Sequence, residues 1–361
     1  MGEKSVGEKI ADTALKTLQT IPGVGPATAK RLIENGYLNI EDVASARPED
    51  LRYIFGSAKK AKQVIMAARE IIYARETYAV KAEELENERL SRLRIIPTGC
   101  KALDQILGGG FSSDAVTLIA GPFSSGKTEM CFSACVNCWL LLGLDAVYIE
   151  TEPGTFHLSR IKEIAEERAK LFAKDKDLLT KYGLDLAVLK ERLDNIGQHI
   201  WVVPSDKART PNLLHVAYGW VMRKAREGLF EPGVVAVDSF SAPFRATYSG
   251  RDMLPDRNAE IARHFGTLQE MADELNAAVL LTAQVYGIPD AGGMKFQALV
   301  EFGMDHAIWG GEYMLHAATY ILIVRRYKSG DICEAILIDS SHLPRARCDF
   351  RITKAGISDA K

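Results

Sequence analysis

The strongest structural signal in this chain is the sequence Gly121-Pro122-Phe123-Ser124-Ser125-Gly126-Lys127-Thr128. The stretch has the pattern G-x-x-x-x-G-K-T, follows an apolar run at 115–120, and opens a helical pattern at Lys127. In this arrangement the loop amides and the helix N-terminus hold phosphate oxygens, Lys127 places a positive charge on the terminal phosphates, and the Thr128 hydroxyl is a ligand for Mg²⁺. Strand, loop and helix together predict a site for ATP and Mg²⁺.

Two more predicted strands supply carboxylates at their ends. The apolar run 234–237 ends in Asp238, which we expect to supply the second carboxylate of the Mg²⁺ shell. The run Tyr148-Ile149-Glu150-Thr151-Glu152 ends in two glutamates, and hydrolysis requires a group that orients or deprotonates water. Because either glutamate could instead cap the following helix, spacing alone leaves Glu150 and Glu152 as alternative bases.

Strand-like runs alternate with helix-like runs through the larger part of the chain. This alternation predicts an α/β fold with a largely parallel sheet. The predicted strands are 115–120, 146–149, 200–203, 234–237 and 278–282, and the predicted helices begin at 127 or lie near 156–172, 213–227 and 258–275.

The N-terminal part contains a glycine-rich turn between two helical stretches. The turn is Pro22-Gly23-Val24-Gly25-Pro26, where Gly23 and Gly25 permit tight folding and let backbone amides approach a phosphate. With Lys30 and Arg31 on the second helix, the segment resembles a helix-hairpin-helix DNA-binding element; an ordinary turn in a small bundle is the alternative. We predict a small all-α domain at 1–75, a charged linker or oligomerisation segment at 76–96, and the core at 97–361.

Composition limits the possible functions. The 361 residues carry a formal net charge of −2, so binding to a polyanion would depend on local clusters of lysine and arginine. The N-terminus lacks the apolar core of a secretory signal, and no apolar run is long enough to span a bilayer. We expect a soluble, cytoplasmic protein with no membrane partner.

Three cysteines follow the phosphate loop at positions 131, 135 and 138. Their spacing matches one used by radical enzymes to hold an iron–sulfur cluster. It also matches one face of a helix, along which three thiols cannot easily converge on one cluster. We therefore predict that Cys131, Cys135 and Cys138 are small buried hydrophobic side chains.

An ordered set of motifs resembles the archaeal RadA-type recombinases, within the RecA/RadA family of strand-exchange ATPases. The resemblance covers most of the chain, and its order makes it much more specific than any single motif. Besides the phosphate loop and the hairpin, the matching stretches are Thr98–Asp104 with Leu107–Gly110, Thr151-Glu152 with Thr155-Phe156 and Arg160, Phe244–Ala246 through Leu254–Arg257, Gln284-Val285, Gly310-Gly311 with His316–Thr319, and Asp339 through Pro344.

The resemblance implies roles for several of these residues. Glu152 would activate water, and Arg160 would stack over the adenine. Gln284 and His316 would sense the terminal phosphate and relay its presence to the DNA-binding loops. The segment from Asp339 to Pro344 would cap ATP bound to the next protomer. The active site would then be completed only in a homo-oligomer, either a helical filament or a ring.

The resemblance also places a first DNA-binding loop around Tyr248. Arg245, Arg251 and Arg257 are six residues apart in this segment. Three guanidinium groups can each bind a phosphate and an aromatic ring can stack on a base, which gives a sequence-independent track for single-stranded DNA. The alternative is a solvated surface with ion pairs, because aspartates are interleaved with these arginines.

Two features depart from the family pattern. RadA-type linkers carry a phenylalanine that docks on the neighbouring core, whereas the best register here places Ala79 at that position. The second DNA-binding loop, at about 286–309, looks longer than usual. Its Phe296 and Phe302 could stack on bases, or a short helix at 297–302 could pack on the core or on the next protomer.

The resemblance implies a DNA-dependent ATPase. Such a protein assembles on single-stranded DNA and catalyses homologous pairing with double-stranded DNA and strand exchange in recombinational repair, with recombination mediators as further partners. The alternative is a paralogue that acts as a filament mediator or cap without strand exchange of its own. A third type, a clock or signalling ATPase, explains neither the hairpin nor the arginines of the first loop.

Overall fold

The computed structural model describes residues 13–75, 79–250, 252–287, 306–310, 312–327 and 331–360. The chain divides into two compact units, Met1–Ser91 and Arg92–Lys361. The functional division into 1–75, 76–96 and 97–361 stays a prediction. No helix among the described residues is long and apolar enough to cross a membrane.

The N-terminal unit is a bundle of short helices around its own core. Leu18, Ile21, Leu32, Val43 and Leu51 are buried in that core. Side chains at the helix starts satisfy free backbone amides, as in the capping box that Asn39 forms with Asp42. The helices are α1 (13–18), α2 (Pro26–Glu34), α3 (Ile40–Ser45), α4 (Arg52–Phe55) and α5 (Ala58–Tyr73).

A further helix, α6 (Ala82–Arg92), lies within the predicted linker and has no buried side chain. Its sequence, AEELENERLSR, offers few apolar positions. A helix that is polar on all sides receives little stabilisation from packing within its own chain. Its surface is therefore free of intramolecular core contacts.

The second unit is built on a central sheet with strand order β12-β11-β10-β9-β3-β7-β6-β4-β5. From β9 to β5 every neighbouring pair is parallel, and β10, β11 and β12 extend the sheet with antiparallel pairs. The predicted α/β class with a largely parallel sheet is confirmed. The strands are β1 (Ile95–Ile96), β2 (Phe111–Ser112), β3 (Val116–Gly121), β4 (Asp145–Glu150), β5 (Ile200–Val203), β6 (Pro232–Asp238), β7 (Ala278–Gly287), β8 (His306–Ile308), β9 (Tyr320–Arg326), β10 (Ile332–Ser340), β11 (Ala346–Thr353) and β12 (Gly356–Asp359).

Helices cover the two faces of this sheet, and each face has a hydrophobic core. Every residue of β3 is buried, as expected for a central parallel strand. Short 3₁₀ turns follow α11 and β5, and a π-helical turn, Cys138–Leu142, extends α8. The helices are α7 (Lys101–Ile106), α8 (Lys127–Asn137), α9 (Leu158–Phe172), α10 (Lys176–Lys181), α11 (Leu186–Asn195), α12 (Pro211–Arg226), α13 (Ser241–Thr247), α14 (Leu254–Leu275) and α15 (Glu312–Ala317).

The three cysteines after the phosphate loop are fully buried. Cys131 and Cys135 lie on α8, Cys138 begins the π-helical turn, and all three belong to the core on one face of the sheet. Burial raises the pKa of Cys135 to about 12, so its thiol stays protonated at neutral pH. The prediction that these residues act as buried hydrophobic side chains is confirmed.

Candidate nucleotide-binding site

The phosphate loop connects β3 to α8 at the carboxyl edge of the parallel sheet. Gly126 has φ +100°, a conformation that a side chain disfavours, and its amide lies at the start of α8. A side chain at Gly121 would clash with the Val324 carbonyl oxygen of β9. The two glycines therefore allow a tight loop that leads directly into the N-terminus of α8, and the backbone N–H groups of such a loop suit an anion.

Lys127 lies inside this loop. Its Nζ donates to the carbonyl oxygens of Gly121 at 2.9 Å and Pro122 at 2.7 Å. Burial lowers the pKa of Lys127, while the carboxylates of Asp238 and Glu152 oppose this shift. The ammonium group is thus held where the sequence predicts contact with phosphate.

Asp238 connects three elements of the site. Its Oδ2 accepts a hydrogen bond from the Thr128 hydroxyl at 2.6 Å and another from the Tyr148 hydroxyl at 2.7 Å. Its Oδ1 accepts a hydrogen bond from the hydroxyl of Thr282 on β7. Burial, followed by the charge of Asp238, raises the pKa of Tyr148, so that hydroxyl remains a donor. These contacts fix the orientation of the carboxylate beside Thr128.

This pair of side chains fits Mg²⁺. The hydroxyl oxygen of Thr128 and the carboxylate of Asp238 are hard oxygen donors, the type that Mg²⁺ prefers. They lie at the start of α8 and the end of β6, and both line the same cleft as the loop. The sequence predicted this pair, but it did not predict the support from Tyr148 and Thr282. Tyr148 lies on β4, the strand next to β6, two residues before Glu150. This position was the sequence feature that could have indicated its contact with Asp238.

The two candidate glutamates have different surroundings. Glu150 is 9% exposed, and its Oε1 accepts hydrogen bonds from the backbone amides of Thr155 at 2.8 Å and Phe156 at 3.0 Å. Glu152 lines the cleft, and its side chain is 37% exposed. Glu150 therefore shapes the segment before α9, whereas Glu152 has a carboxylate that faces the cleft.

Arg245 contacts two of the side chains that line the cleft. This residue lies on α13, and its Nη2 is 3.5 Å from Oε1 of Glu152. Its Nη1 also donates to Oε1 of Gln284 on β7. An arginine that the sequence assigns to DNA thus contacts two side chains that the sequence assigns to catalysis.

The cleft has a volume of about 390 Å³ and is open to solvent. Besides the phosphate loop it contains Glu152, Asp238 and Gln284, so the structure brings these predicted residues together. Arg326, at the end of β9, is a cleft residue that the sequence reasoning missed. Because β9 is the parallel neighbour of β3, the carboxyl ends of the two strands meet at one edge of the sheet. The position of Arg326 at the end of an apolar strand was the sequence feature that could have identified it. The lining residues are 123–129, Glu152, Thr155, Asp238, Ser239, Gln284, Arg326 and Ile352.

Arg160, the predicted adenine-stacking residue, is held by several partners near this cleft. Its guanidinium forms a two-pronged contact with Glu129 at 2.8–3.2 Å and donates to Glu163. It also donates to the carbonyl oxygens of Thr353 and Lys354. Burial alone would lower the pKa of Arg160, but the hydrogen bonds to Glu129 and Glu163 raise it overall. The charged guanidinium plane is therefore fixed from its edge.

Three residues predicted to act on the nucleotide do not line this cleft in the described parts of the chain. His316 is exposed on α15. Asp339 is exposed near the end of β10, where it accepts a hydrogen bond from the Ser340 amide, and Pro344 is exposed beyond that strand. Their assigned contacts with nucleotide stay predictions.

The described residues of the first DNA-binding segment differ in exposure. Tyr248 is partly buried and packs against the core, which leaves only part of its ring accessible. The Arg257 guanidinium lies over the Trp309 ring, 5.2 Å from its centroid, and so connects the first segment with the end of the second. Arg251, Phe296 and Phe302 lie outside the described residues, as do positions 288–305 of the second loop.

The N-terminal turn has the features of a hairpin. Gly23 adopts φ +91°, and Gly25 precedes α2 with Pro26 as its first residue. Gly23, Gly25 and Lys30 are exposed, whereas Arg31 donates to the Tyr53 carbonyl oxygen at 2.5 Å. The exposed loop and Lys30 form the surface that the sequence assigns to DNA.

Comparisons with known proteins agree with this architecture. The Rad51 family model matches residues 89–179 and 207–360, and the model for a SAM-like helix-hairpin-helix tandem matches residues 15–70. A DNA repair and recombination protein RadA of Methanococcus maripaludis strain C7 is 35% identical over 359 residues, which cover 95% of this chain and 99% of the relative. The protein of the same name from Methanococcus voltae is 34% identical over 362 residues, with the same coverage. The chain therefore belongs to the Rad51 family, as a RadA-type member.

Proposed function

We propose that this chain is an ATP-dependent recombinase that assembles on single-stranded DNA and carries out homologous pairing and strand exchange in recombinational repair, in the cytoplasm. One observation carries the proposal. A phosphate loop, a metal-side aspartate and a cleft-facing glutamate meet at one sheet edge, in a chain whose relatives are named DNA repair and recombination proteins.

ATP binds through the phosphate loop. The backbone N–H groups of residues 123–126 and the N-terminus of α8 bind the phosphate oxygens, and Lys127 neutralises the terminal phosphates. Thr128 and Asp238 hold Mg²⁺, which when bound offsets the negative charge that builds up during phosphoryl transfer. Arg160 presents a guanidinium plane to the adenine, since its edge is already occupied by Glu129 and Glu163.

Glu152 is the group that orients and deprotonates the attacking water. Its carboxylate lines the cleft, whereas the carboxylate of Glu150 is committed to the amides of Thr155 and Phe156. Gln284, which also lines the cleft, senses the terminal phosphate. His316 and the segment from Asp339 to Pro344 act in the assembled protein, where the latter caps the ATP of a neighbouring protomer.

DNA binding uses both units of the chain. Arg245, Arg251 and Arg257 contact phosphates in the first loop, and Tyr248 presents the accessible part of its ring to a base. Phe296 and Phe302 contribute from the second loop. In the N-terminal unit, Gly23, Gly25 and Lys30 contact the backbone of a duplex, because closely approaching amides and a lysine suit a phosphate.

Protomers join into a homo-oligomer through an apolar groove on the second unit. The groove has a volume of about 370 Å³, and Val216 and Trp220 in its wall are 67% and 41% exposed. A linker residue of the neighbouring protomer fills it. Ala79 is too small to fill this volume, and Val80, which is 53% exposed, takes that role together with Tyr78, a residue outside the described ranges.

Electron microscopy tests this proposal. The protein is mixed with single-stranded oligo(dT) and ATP with Mg²⁺, and the same mixture without ATP is the control. We expect continuous helical filaments that depend on ATP. Short, capped or isolated particles in both samples would instead fit a filament mediator and would overturn the recombinase assignment.

A further inference from the structure

Arg245 connects the nucleotide cleft with the DNA-binding segment. Its guanidinium lies 3.5 Å from Oε1 of Glu152 through Nη2, and its Nη1 donates to Oε1 of Gln284. These two partners come from different parts of the sheet, because Glu152 follows β4 and Gln284 lies on β7. A single side chain of α13 therefore holds both the proposed base and the proposed phosphate sensor.

The helix that carries Arg245 is firmly anchored. Phe244, the preceding residue, is fully buried and packs against Phe240 with ring centroids 4.9 Å apart. The hydroxyl of Ser241, at the start of α13, accepts a hydrogen bond from the backbone amide of Gln284 at 3.3 Å. Because this framework fixes the backbone, the position of the guanidinium depends mainly on what its edge can bind. The helix leads directly into the segment that contains Tyr248 and Arg257.

We infer that Arg245 is a positioning residue that restrains Glu152 and Gln284, and that a DNA phosphate competes for the same guanidinium. This inference rests on the proposed function. A guanidinium binds a carboxylate and a phosphate with the same fork of N–H donors. A DNA phosphate that binds these N–H donors releases the carboxylate of Glu152 and the side-chain amide of Gln284. Glu152 is then free to accept a proton from the attacking water.

The size of the effect follows from the exposure of the pair. The side chains of Arg245 and Glu152 are 44% and 37% exposed, and solvent-exposed ion pairs are weak. A weak restraint is easily displaced by a phosphate. It also means that removing the restraint raises turnover only about two- to fivefold, far less than the loss of a catalytic group.

Turnover of ATP with and without single-stranded oligo(dT) tests the inference. In Arg245→Ala, we expect the rate without DNA to rise about two- to fivefold and the stimulation by DNA to fall by a similar factor. Arg263→Ala is the matched control, because Arg263 is 43% exposed, pairs with Glu260 on α14 and does not line the described cleft. Both of its rates should match those of the parent.

A second variant controls for the possibility that Arg245→Ala misfolds. Arg245→Gln keeps a polar side chain on α13 but is shorter and removes the positive charge, so it should also raise the rate without DNA. If both variants turn over ATP without DNA at or below the parent rate, while the parent is stimulated by DNA, the inference is wrong and the proposed function stands. A parent protein that oligo(dT) does not stimulate would overturn the DNA-dependent ATPase proposal itself.

Discussion

The distinction between Glu150 and Glu152 can be tested by replacing each glutamate with glutamine. The change keeps the shape of the side chain and removes its charge. In Glu152→Gln the water loses its proton acceptor, and general base catalysis contributes about 10²–10⁴-fold to a rate. We therefore expect turnover in the presence of DNA to fall by about two to four orders of magnitude while ATP still binds.

Glu150→Gln should affect stability more than turnover. The glutamine oxygen can still accept hydrogen bonds from the amides of Thr155 and Phe156, but the bonds lose their charge. Hydrogen bonds to charged groups contribute about 1.5–3 kcal/mol and neutral ones about 0.5–1.5 kcal/mol, so the change costs about 1 kcal/mol per bond and about 2 kcal/mol for the two bonds. In a domain of this size that lowers the Tm by roughly 4–8 °C.

The assays are phosphate release with ATP, Mg²⁺ and oligo(dT), nucleotide affinity, and thermal unfolding of both variants. Glu152 contributes little to stability, because its pair with Arg245 is substantially exposed. Its variant should therefore melt close to the parent. If Glu152→Gln hydrolyses ATP at the parent rate while Glu150→Gln does not, the base is Glu150 and the reasoning from the cleft is refuted.

Three further predictions concern DNA and assembly. Replacing Arg245, Arg251 and Arg257 together by alanine should remove the stimulation of ATP turnover by DNA. It should also reduce the slope of log binding constant against log salt concentration by ~0.7 per lost phosphate contact, measured by titration of single-stranded DNA at several salt concentrations. An unchanged slope would mean that these arginines are surface charges only. Replacing Phe296 and Phe302 by alanine should weaken binding by ~1–3 kcal/mol per stacked base with little change in that slope. Variants that bind normally but fail to assemble would instead identify a protomer contact. Val80→Ala should reduce oligomers formed without ligand in sedimentation, because burying a valine side chain stabilises by roughly 1.5–3 kcal/mol, and long oligomers unaffected by Val80→Ala and Tyr78→Ala would contradict the linker account.

Much of the core could be predicted from local pattern. The run 200–203 is predicted and observed as a strand over the same residues, and the predicted runs 234–237 and 115–120 differ from β6 and β3 by at most two residues at either end. Of these strands, β3 and β6 are buried on both faces, so their sequences are largely apolar. The phosphate loop then fixes which helix follows which strand.

The contacts between distant residues could not be predicted in the same way. The choice between Glu150 and Glu152 depends on the backbone amides of Thr155 and Phe156 folding back onto one of them, which spacing does not reveal. The support of Asp238 by Tyr148 and Thr282 depends on strand order. The reach of Arg245 into the cleft depends on where α13 is anchored relative to the ends of β4 and β7.

Strand exchange between a single-stranded oligonucleotide and a homologous duplex tests whether the protein is an ATP-dependent recombinase. Fluorescent labels on the duplex strands report their separation as the new pairs form. With ATP and Mg²⁺ the protein should exchange homologous strands, and Lys127→Ala, which loses the cation that meets the terminal phosphates, should not. Binding of both DNAs without exchange, or exchange by Lys127→Ala at the parent rate, would contradict an ATP-dependent recombinase.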